Sequence, residues 1–161
     1  MMAQGSFVVN NPAWRERLEP LLKGQHFMQL LGLKLTVIEP GYVEAEMEIQ
    51  SVQRQALGFL HGGVTATICD IVAGVAAFNL IRSDQHVVTG EIKISYLNPG
   101  VGDKVKAIGR VIKQGRMISF CEADVYVEGN GNLVHVARAS TSMVIIEESG
   151  AIKSQGPMDK G

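Results

Sequence analysis

Two cysteines, Cys69 and Cys121, are all that the 161 residues contain, and neither belongs to a CxxC pair. No secretory leader opens the sequence, so a reduced, cytoplasmic setting is the simplest expectation, although two cysteines also suffice for one disulfide. Charge of one sign is equally scarce. The formal net charge is −1, whereas a general nucleic-acid binder needs a basic excess on one face. Lys104, Lys106, Arg110, Lys113 and Arg116 bias the stretch after Pro99 toward positive charge; a solvated strand face explains this, and a phosphorylated ligand is the alternative. The four histidines, His26, His61, His86 and His135, have no second ligand at metal spacing, so no metal site is expected. Nor is there a charge-free apolar run of membrane-spanning length. Residues 64–81 come nearest, but they carry Asp70 at their centre, with Thr65, Thr67 and Asn79. They read as a buried core helix, with no membrane partner. No internal repeat is present.

What is there suits one packed domain: 46% hydrophobic and 19% charged residues. Residues 1–26 read as an N-terminal segment, loose over its first ten residues. Asn11-Pro12 then starts a short helix through Trp14 and Leu18, with Asn11 as N-cap and Pro20 breaking it early. Residues 27–32 read as one more helical turn, closed by Gly32. Alternation then sets in, with a hairpin turning at Pro40-Gly41 and placing Glu44, Glu46 and Glu48 on the wet face. A polar loop at 53–60 leads to His61-Gly62-Gly63 and the long helix 64–81. That helix is apolar nearly all round and so must be enclosed. Strands follow at 87–97, 104–113, 117–127 and 133–146, with turns at Gln114-Gly115 and Gly129-Asn130-Gly131. Residues 27–148 thus form the main domain and 149–161 a disordered tail. The expected class is α+β: a curved antiparallel sheet wrapped around one long central helix.

Asp70 is the most informative position. It sits nine residues after His61 among Ile68, Cys69, Ile71 and Val72, where an ionised carboxylate costs several kcal/mol unless compensated. It is either a buried structural Asp satisfied by backbone N–H groups or a basic residue, or a carboxylate held in a cleft as nucleophile or general base. His61-Gly62-Gly63 is either a simple loop-to-helix corner or an oxyanion site. Two glycines bring N–H groups close to a ligand, and a helix start presents unpaired donors and a positive dipole end. Cys69 reads as a small buried hydrophobe, because no histidine is spaced to activate it. His135 reads as surface or interface filling, and Trp14 as an anchor for the N-terminal helix.

The stretch Gln55-Ala-Leu-Gly58-Phe-Leu-His61-Gly62-Gly63-Val-Thr-Ala-Thr-Ile-Cys-Asp70 resembles the signature of the phenylacetate-degradation (PaaI-like) hotdog thioesterases. Ile92-Lys-Ile-Ser-Tyr96-Leu-Asn98-Pro99 and Lys113-Gln-Gly115-Arg116 resemble the family's next strand and later hairpin. The resemblance implies a hotdog fold and an acyl-CoA substrate. It also implies a homodimer, commonly a dimer of dimers, with active sites across the dimer interface. One protomer would supply His61 and the Gly62 N–H, which polarises the thioester carbonyl. The other would supply Asp70, helped by the Thr89 hydroxyl. Gly63, Tyr96, Asn98, Pro99, Lys113, Gly115 and Arg116 match segments that bind the substrate and its CoA arm. Gln55 stands where the family often has asparagine, one methylene shorter, for orienting the attacking water.

The leading expectation is an acyl-CoA thioester hydrolase that needs no separate cofactor, since coenzyme A belongs to the substrate. A non-catalytic acyl-CoA-binding or regulatory hotdog protein is the alternative, and a hydratase would want a His–carboxylate spacing that is absent. Within one chain, His61 and Asp70 lie more than about 10 Å apart along the helix axis. A second protomer is therefore expected to complete the site.

Overall fold

The computed structural model describes residues 7–148. The first six residues and the expected tail at 149–161 lie outside them. Two short helices, α1 (Trp14–Lys23) and α2 (His26–Leu31), precede a hairpin of β1 (Lys34–Glu39) and β2 (Tyr42–Glu48). A 3₁₀ turn at Ser51–Gln53 leads to the long helix α3 (Gly62–Phe78), and β3 (Gln85–Tyr96), β4 (Lys104–Lys113), β5 (Ile118–Gly129) and β6 (Asn132–Glu147) follow. The six strands form one antiparallel sheet in the order β1-β2-β4-β5-β6-β3. Because β3 crosses over to the far edge, the sheet curls around α3, which lies against β2 to β6.

Period-two alternation puts one face of each strand on the helix. Val43, Ala45 and Met47 of β2 are buried, as are Val105 and Ala107 of β4 and Ala123, Val125 and Val127 of β5, against Ile68, Cys69, Val72, Ala73 and Ala76 of α3. The small α3 side chains let the helix settle deeply. Gly109, in mid-β4, meets the helix backbone itself: a Cβ there would overlap the Val72 carbonyl. Both cysteines are free and buried within this core, and burial pushes each thiol up to about 12.

Several local expectations are revised. Residues 7–10 are pinned, not loose: Val8 exchanges backbone hydrogen bonds with the Gln114 side chain, and the Asn10 amide donates to the Leu80 carbonyl. Asn11 is not the N-cap. Its side chain accepts from the Ala13 N–H at 3.1 Å, and α1 begins at Trp14. Pro20 lies inside α1 without ending it; it forfeits one backbone bond, while Trp14 and Leu18 are held in a buried cluster with Phe78 and Ile81. Trp14 thus anchors the helix as expected. Gly32 closes α2 in the left-handed conformation, and Asn130-Gly131, both at positive φ, make the two-residue β5–β6 hairpin.

On the outer face, three of the basic residues after Pro99 are paired across strands, beginning with Lys104 to Glu46 at 2.6 Å and Lys106 to Glu128 at 3.1 Å. Arg110 reaches both Glu122 and Asp124 at 2.8 Å. Asp124 is 1% exposed. The Arg138 guanidinium grips it from the other side at 2.7 Å, and His135, stacked on Tyr126, brings Nε2 within 2.8 Å. His135 is thus half-buried beside this carboxylate rather than on open surface. Burial alone would raise the Asp124 carboxyl, but hydrogen bonds from Arg138 and Arg110 outweigh it and hold the group below the usual carboxylate range.

Two predictions follow from this packing. Gly109→Ala should cost about 1–3 kcal/mol in urea denaturation, because the helix backbone has to move away from the sheet; an unchanged midpoint would show that the contact is slack. A carboxyl held low in the folded state stabilises the fold above its unfolded range and loses that contribution as pH falls through the folded value. Asp124→Asn should therefore be less stable near neutrality by about 1–3 kcal/mol, below the fully buried case because both guanidiniums reach solvent. Its acid-side stability curve should be flatter than that of the parent, and parallel curves would rule this out.

Candidate active site

The start of α3 is fastened from three sides. The His61 N–H donates to the Gln53 carbonyl at 2.9 Å, and the Leu60 N–H to the Gly100 carbonyl at 2.9 Å. Gln53, itself buried, ties this loop to α2 through its amide, which donates to the Leu31 carbonyl at 2.7 Å. The Tyr96 hydroxyl donates to the Gly62 carbonyl at 2.8 Å, with its ring lying over Gly62.

The helix begins at Gly62, two residues earlier than its apolar pattern, and ends at Phe78 rather than 81. His61 is the reason for the early start. It is extended at φ −65°, ψ 133°, and its Nδ1 accepts the Gly63 N–H at 2.9 Å, so an imidazole does the work usually done by Ser, Thr, Asp or Asn. Nδ1 must be unprotonated to do this, which leaves the proton of the neutral ring on Nε2. Among the described residues no acceptor meets the Gly62 N–H. It is a free donor at the positive end of a seventeen-residue helix.

The helix departs from expectation: α3 is not enclosed all round, and Asp70 on its open arc is half-buried. Asp70, Ile71, Gly74, Val75 and Phe78 border a cleft of about 270 Å³, roofed by Leu18, Leu21, Leu22, Gln25 and Met28 of the N-terminal segment. The opposite wall is β3, from which the Thr89 hydroxyl donates to Asp70 Oδ1 at 2.5 Å. A bulge at Gly90 interrupts the β3–β6 register just after Thr89, and a side chain at Gly90 would strike Val144. Among the described residues no basic side chain bonds the Asp70 carboxylate, whose hydrogen-bond partner is Thr89. The carboxylate is therefore placed to act as an acceptor or a nucleophile at the mouth of a cleft with mostly apolar side chains and with Gln25 and His86 among its walls.

The remaining expected residues fall into separate groups. Gln55, Gly62, Tyr96, Asn98 and Pro99 share a second cavity, of about 360 Å³, at the N-terminal end of α3. There the Gln55 side-chain oxygen accepts from the Leu57 N–H and the Asn98 amide donates to the His135 carbonyl, so both are partly committed to the loop and strand that carry them. Gly63 is exposed beside this cavity. Gly115 and Arg116 border a third cavity, with Leu80 and Arg82, beyond the C-terminal end of α3, and Lys113 is exposed at the end of β4. One chain thus brings together Asp70 with Thr89, and Gly62 with Tyr96, but does not bring the two pairs together. Gly62 and Asp70 are eight residues apart on one helix, about 12 Å along the axis. Sequence reasoning missed the cleft roof, for which the amphipathic spacing of Leu18, Leu21 and Leu22 was the available signal. Among the described residues no group of His, Cys, Asp and Glu is arranged to hold a metal ion, and no helix is long and apolar enough to cross a membrane.

The His61 cap is testable directly. His61→Ala should lower stability by about 1 kcal/mol, and His61→Asn, which keeps a capping acceptor, should recover most of it. Equal urea midpoints for all three proteins would remove the cap from the account.

Comparison with known proteins identifies the family. Residues 57–134, from the loop before His61 into β6, match the thioesterase superfamily. Human acyl-coenzyme A thioesterase 13 is 31% identical over 127 residues, covering 77% of this chain and 89% of the relative. The proofreading thioesterase EntH of Klebsiella pneumoniae is 32% identical over 98 residues, 61% of this chain and 72% of its own. A thioesterase family protein from Silicibacter pomeroyi superposes with a TM-score of 0.81 at 28% identity, over 83% of this chain and 98% of that one. A curled antiparallel sheet around a capped helix, matched over most of its length by these relatives, places the chain in the thioesterase superfamily as a hotdog-fold thioester hydrolase.

Proposed function

We propose that the protein hydrolyses acyl-CoA thioesters to the free acid and coenzyme A, in a site completed by two copies of the chain. The observation that carries this reading is the separation just described: a free N–H donor at Gly62 and an accessible carboxylate at Asp70, each in its own cavity, too far apart to act on one carbonyl. β3 stands at the sheet edge with no strand beyond it among the described residues. Its twelve residues offer an unpaired row of backbone groups. Antiparallel pairing of two β3 strands about their midpoint would lay the Tyr96 end of one against the Gln85–Thr89 end of the other. That arrangement would bring the partner's Gly62 toward Asp70, as an isologous two-fold interface requires.

In that site the carbonyl oxygen of the thioester accepts from the Gly62 N–H, and the helix dipole stabilises the negative charge that grows there in the tetrahedral state. Asp70 either attacks the carbonyl carbon directly, expelling the thiolate and forming an acyl–enzyme anhydride that water then hydrolyses to the free acid, or takes a proton from the water that attacks and passes it to the departing thiolate. Its bond from Thr89 fixes one oxygen and leaves the other for the reaction. Coenzyme A leaves as the thiol. Tyr96 positions Gly62 by holding its carbonyl, and the Tyr96–Pro99 and Lys113–Arg116 segments are the expected contacts of the CoA arm.

Two single substitutions and their mixture test this. Asp70→Ala should lower kcat by about a hundred- to ten-thousandfold. Gly62 occupies the first helical position, where proline is tolerated, and His61 before it already has the extended backbone that a following proline demands. Gly62→Pro therefore deletes the donor while keeping the helical backbone, with the Tyr96 ring giving way by a few tenths of an ångström to the added Cβ, and should cost about a hundred- to a thousandfold. Co-refolding the two inactive proteins should restore roughly a quarter of parental activity, because randomly assorted two-fold dimers carry one intact site in each mixed pair. No recovery from a mixture shown to contain mixed dimers would refute the shared site, and full activity of Asp70→Ala would refute the mechanism.

A further inference from the structure

Gly74 lies one helical turn beyond Asp70 on the same face of α3, and Phe78 one turn further. Glycine in a helix interior costs about 1 kcal/mol relative to alanine. The usual compensation is close packing, as at Gly109, where the sheet meets the helix backbone. At Gly74 that compensation is missing: a Cβ there would meet nothing within 4 Å. The position is half-buried and borders the cleft whose mouth holds Asp70 and Thr89. The cleft runs down the helix from Asp70 to the ring of Phe78, about 12 Å for eight residues, and Phe78 is packed from below by Trp14, Leu18 and Ile81. Leu22 and Met28 help close it from above. Apart from the carboxylate and the Thr89 hydroxyl at the mouth, Gln25 in the roof and the half-buried His86 on the β3 wall, the side chains that line it are apolar.

Resting on the acyl-CoA hydrolase reading, we propose that Gly74 is the specificity-determining residue of the site. By withholding a side chain it keeps open the channel along which an apolar acyl chain extends from Asp70 toward Phe78 under the N-terminal helices. The substrate class that fits is a medium-length or aryl-substituted acyl group. Acetyl leaves the channel empty, and a palmitoyl chain overruns the Phe78 floor. Side-chain volume added at residue 74 narrows the channel midway, so it penalises long acyl groups and spares those that end before it.

The test is the chain-length profile of the full-length protein and of Gly74→Ala and Gly74→Leu, measured as kcat/KM for acetyl-, hexanoyl-, octanoyl- and palmitoyl-CoA, with the Tm of each protein. Octanoyl-CoA should be the best substrate of the parent. In Gly74→Leu the octanoyl-to-acetyl ratio should fall by at least about tenfold, since crowding by one or more methylenes is worth 10- to 200-fold. Gly74→Ala should shift it in the same direction by less. Both variants should melt no lower than the parent, because a helix-favouring residue enters open space. An unchanged ratio in an active Gly74→Leu, or a lower Tm for Gly74→Ala, would overturn the proposal while leaving the hydrolase reading intact. Absence of hydrolysis of every thioester by the parent would overturn that reading and the proposal with it. If Gly74→Leu fails to fold, the space beside Gly74 is not open, and the proposal falls on that ground.

Discussion

The contact of α3 with the backbone of β4 at Gly109 sets the geometry of everything else. Most helices rest on a sheet through layers of side chains; here the Val72 carbonyl and the Ala73 amide come down onto a glycine. Helix depth is thereby fixed by backbone atoms, which cannot repack as side chains can. Val72 is two residues from Asp70, so the same contact fixes the height of that carboxylate over β3 and its reach to Thr89. Small residues at Cys69, Ala73, Ala76 and Ala77 are the corollary, since larger ones would lift the helix away. A helix sunk this far can be apolar over most of its circumference. The remaining arc, with Asp70 and Gly74 on it, is left to the N-terminal segment and to whatever binds there.

A helix held so firmly also keeps its two functional ends apart. The donor at its N-terminus and the carboxylate two turns along are rigidly spaced, and no loop motion within one chain can bring them onto the same carbonyl. In the proposed dimer the free edge of β3 would resolve this, because antiparallel pairing would invert one helix relative to the other. Exposed Val88, Tyr96 and Leu97 on and just beyond that strand would be awkward for an isolated chain, in which open edges invite uncontrolled pairing. Glu91 and Lys93, also exposed, temper the edge, and the bulge at Gly90 marks where a regular ladder would be interrupted.

The strands were legible because period-two alternation is a direct consequence of burying one face of a sheet, and β2, β4 and β5 carry it cleanly. Asp70 and His61-Gly62-Gly63 stood out because a carboxylate in an apolar helix and paired glycines before it each need a physical reason. Other features could not be read in the same way. The capping role of His61 depends on a side-chain rotamer, and histidine is not among the residues whose composition announces a cap. The Asp124 cluster brings Arg110 from β4 and His135 and Arg138 from β6 onto β5, so its members meet only through strand pairing and not through any local sequence pattern. In the sequence, Asp124 is one more charge on an alternating strand. The open arc of α3 was invisible for a different reason. Apolarity indicates that a surface is covered, but not whether its cover is protein or ligand.

That last ambiguity bears on stability as well as on function. The cleft beside Gly74 leaves apolar side chains of α3 without the dispersion contacts that a filled core would supply, and a mid-helix glycine weakens the helix there. The fold offsets this at the two ends of the arc. Toward the C-terminus, Trp14, Leu18, Phe78 and Ile81 form a closed cluster. Toward the N-terminus, His61, Gln53 and Tyr96 fasten the helix start with directed hydrogen bonds. The open stretch lies between two well-anchored ones, so a cavity can persist without the helix bending into it. An acyl chain entering that space would find apolar walls already held apart, and little of its binding energy would be spent on rearranging the protein. The same anchoring holds the carboxylate at the mouth, so that in the proposed site filling the channel and presenting the carbonyl to Asp70 would become one event.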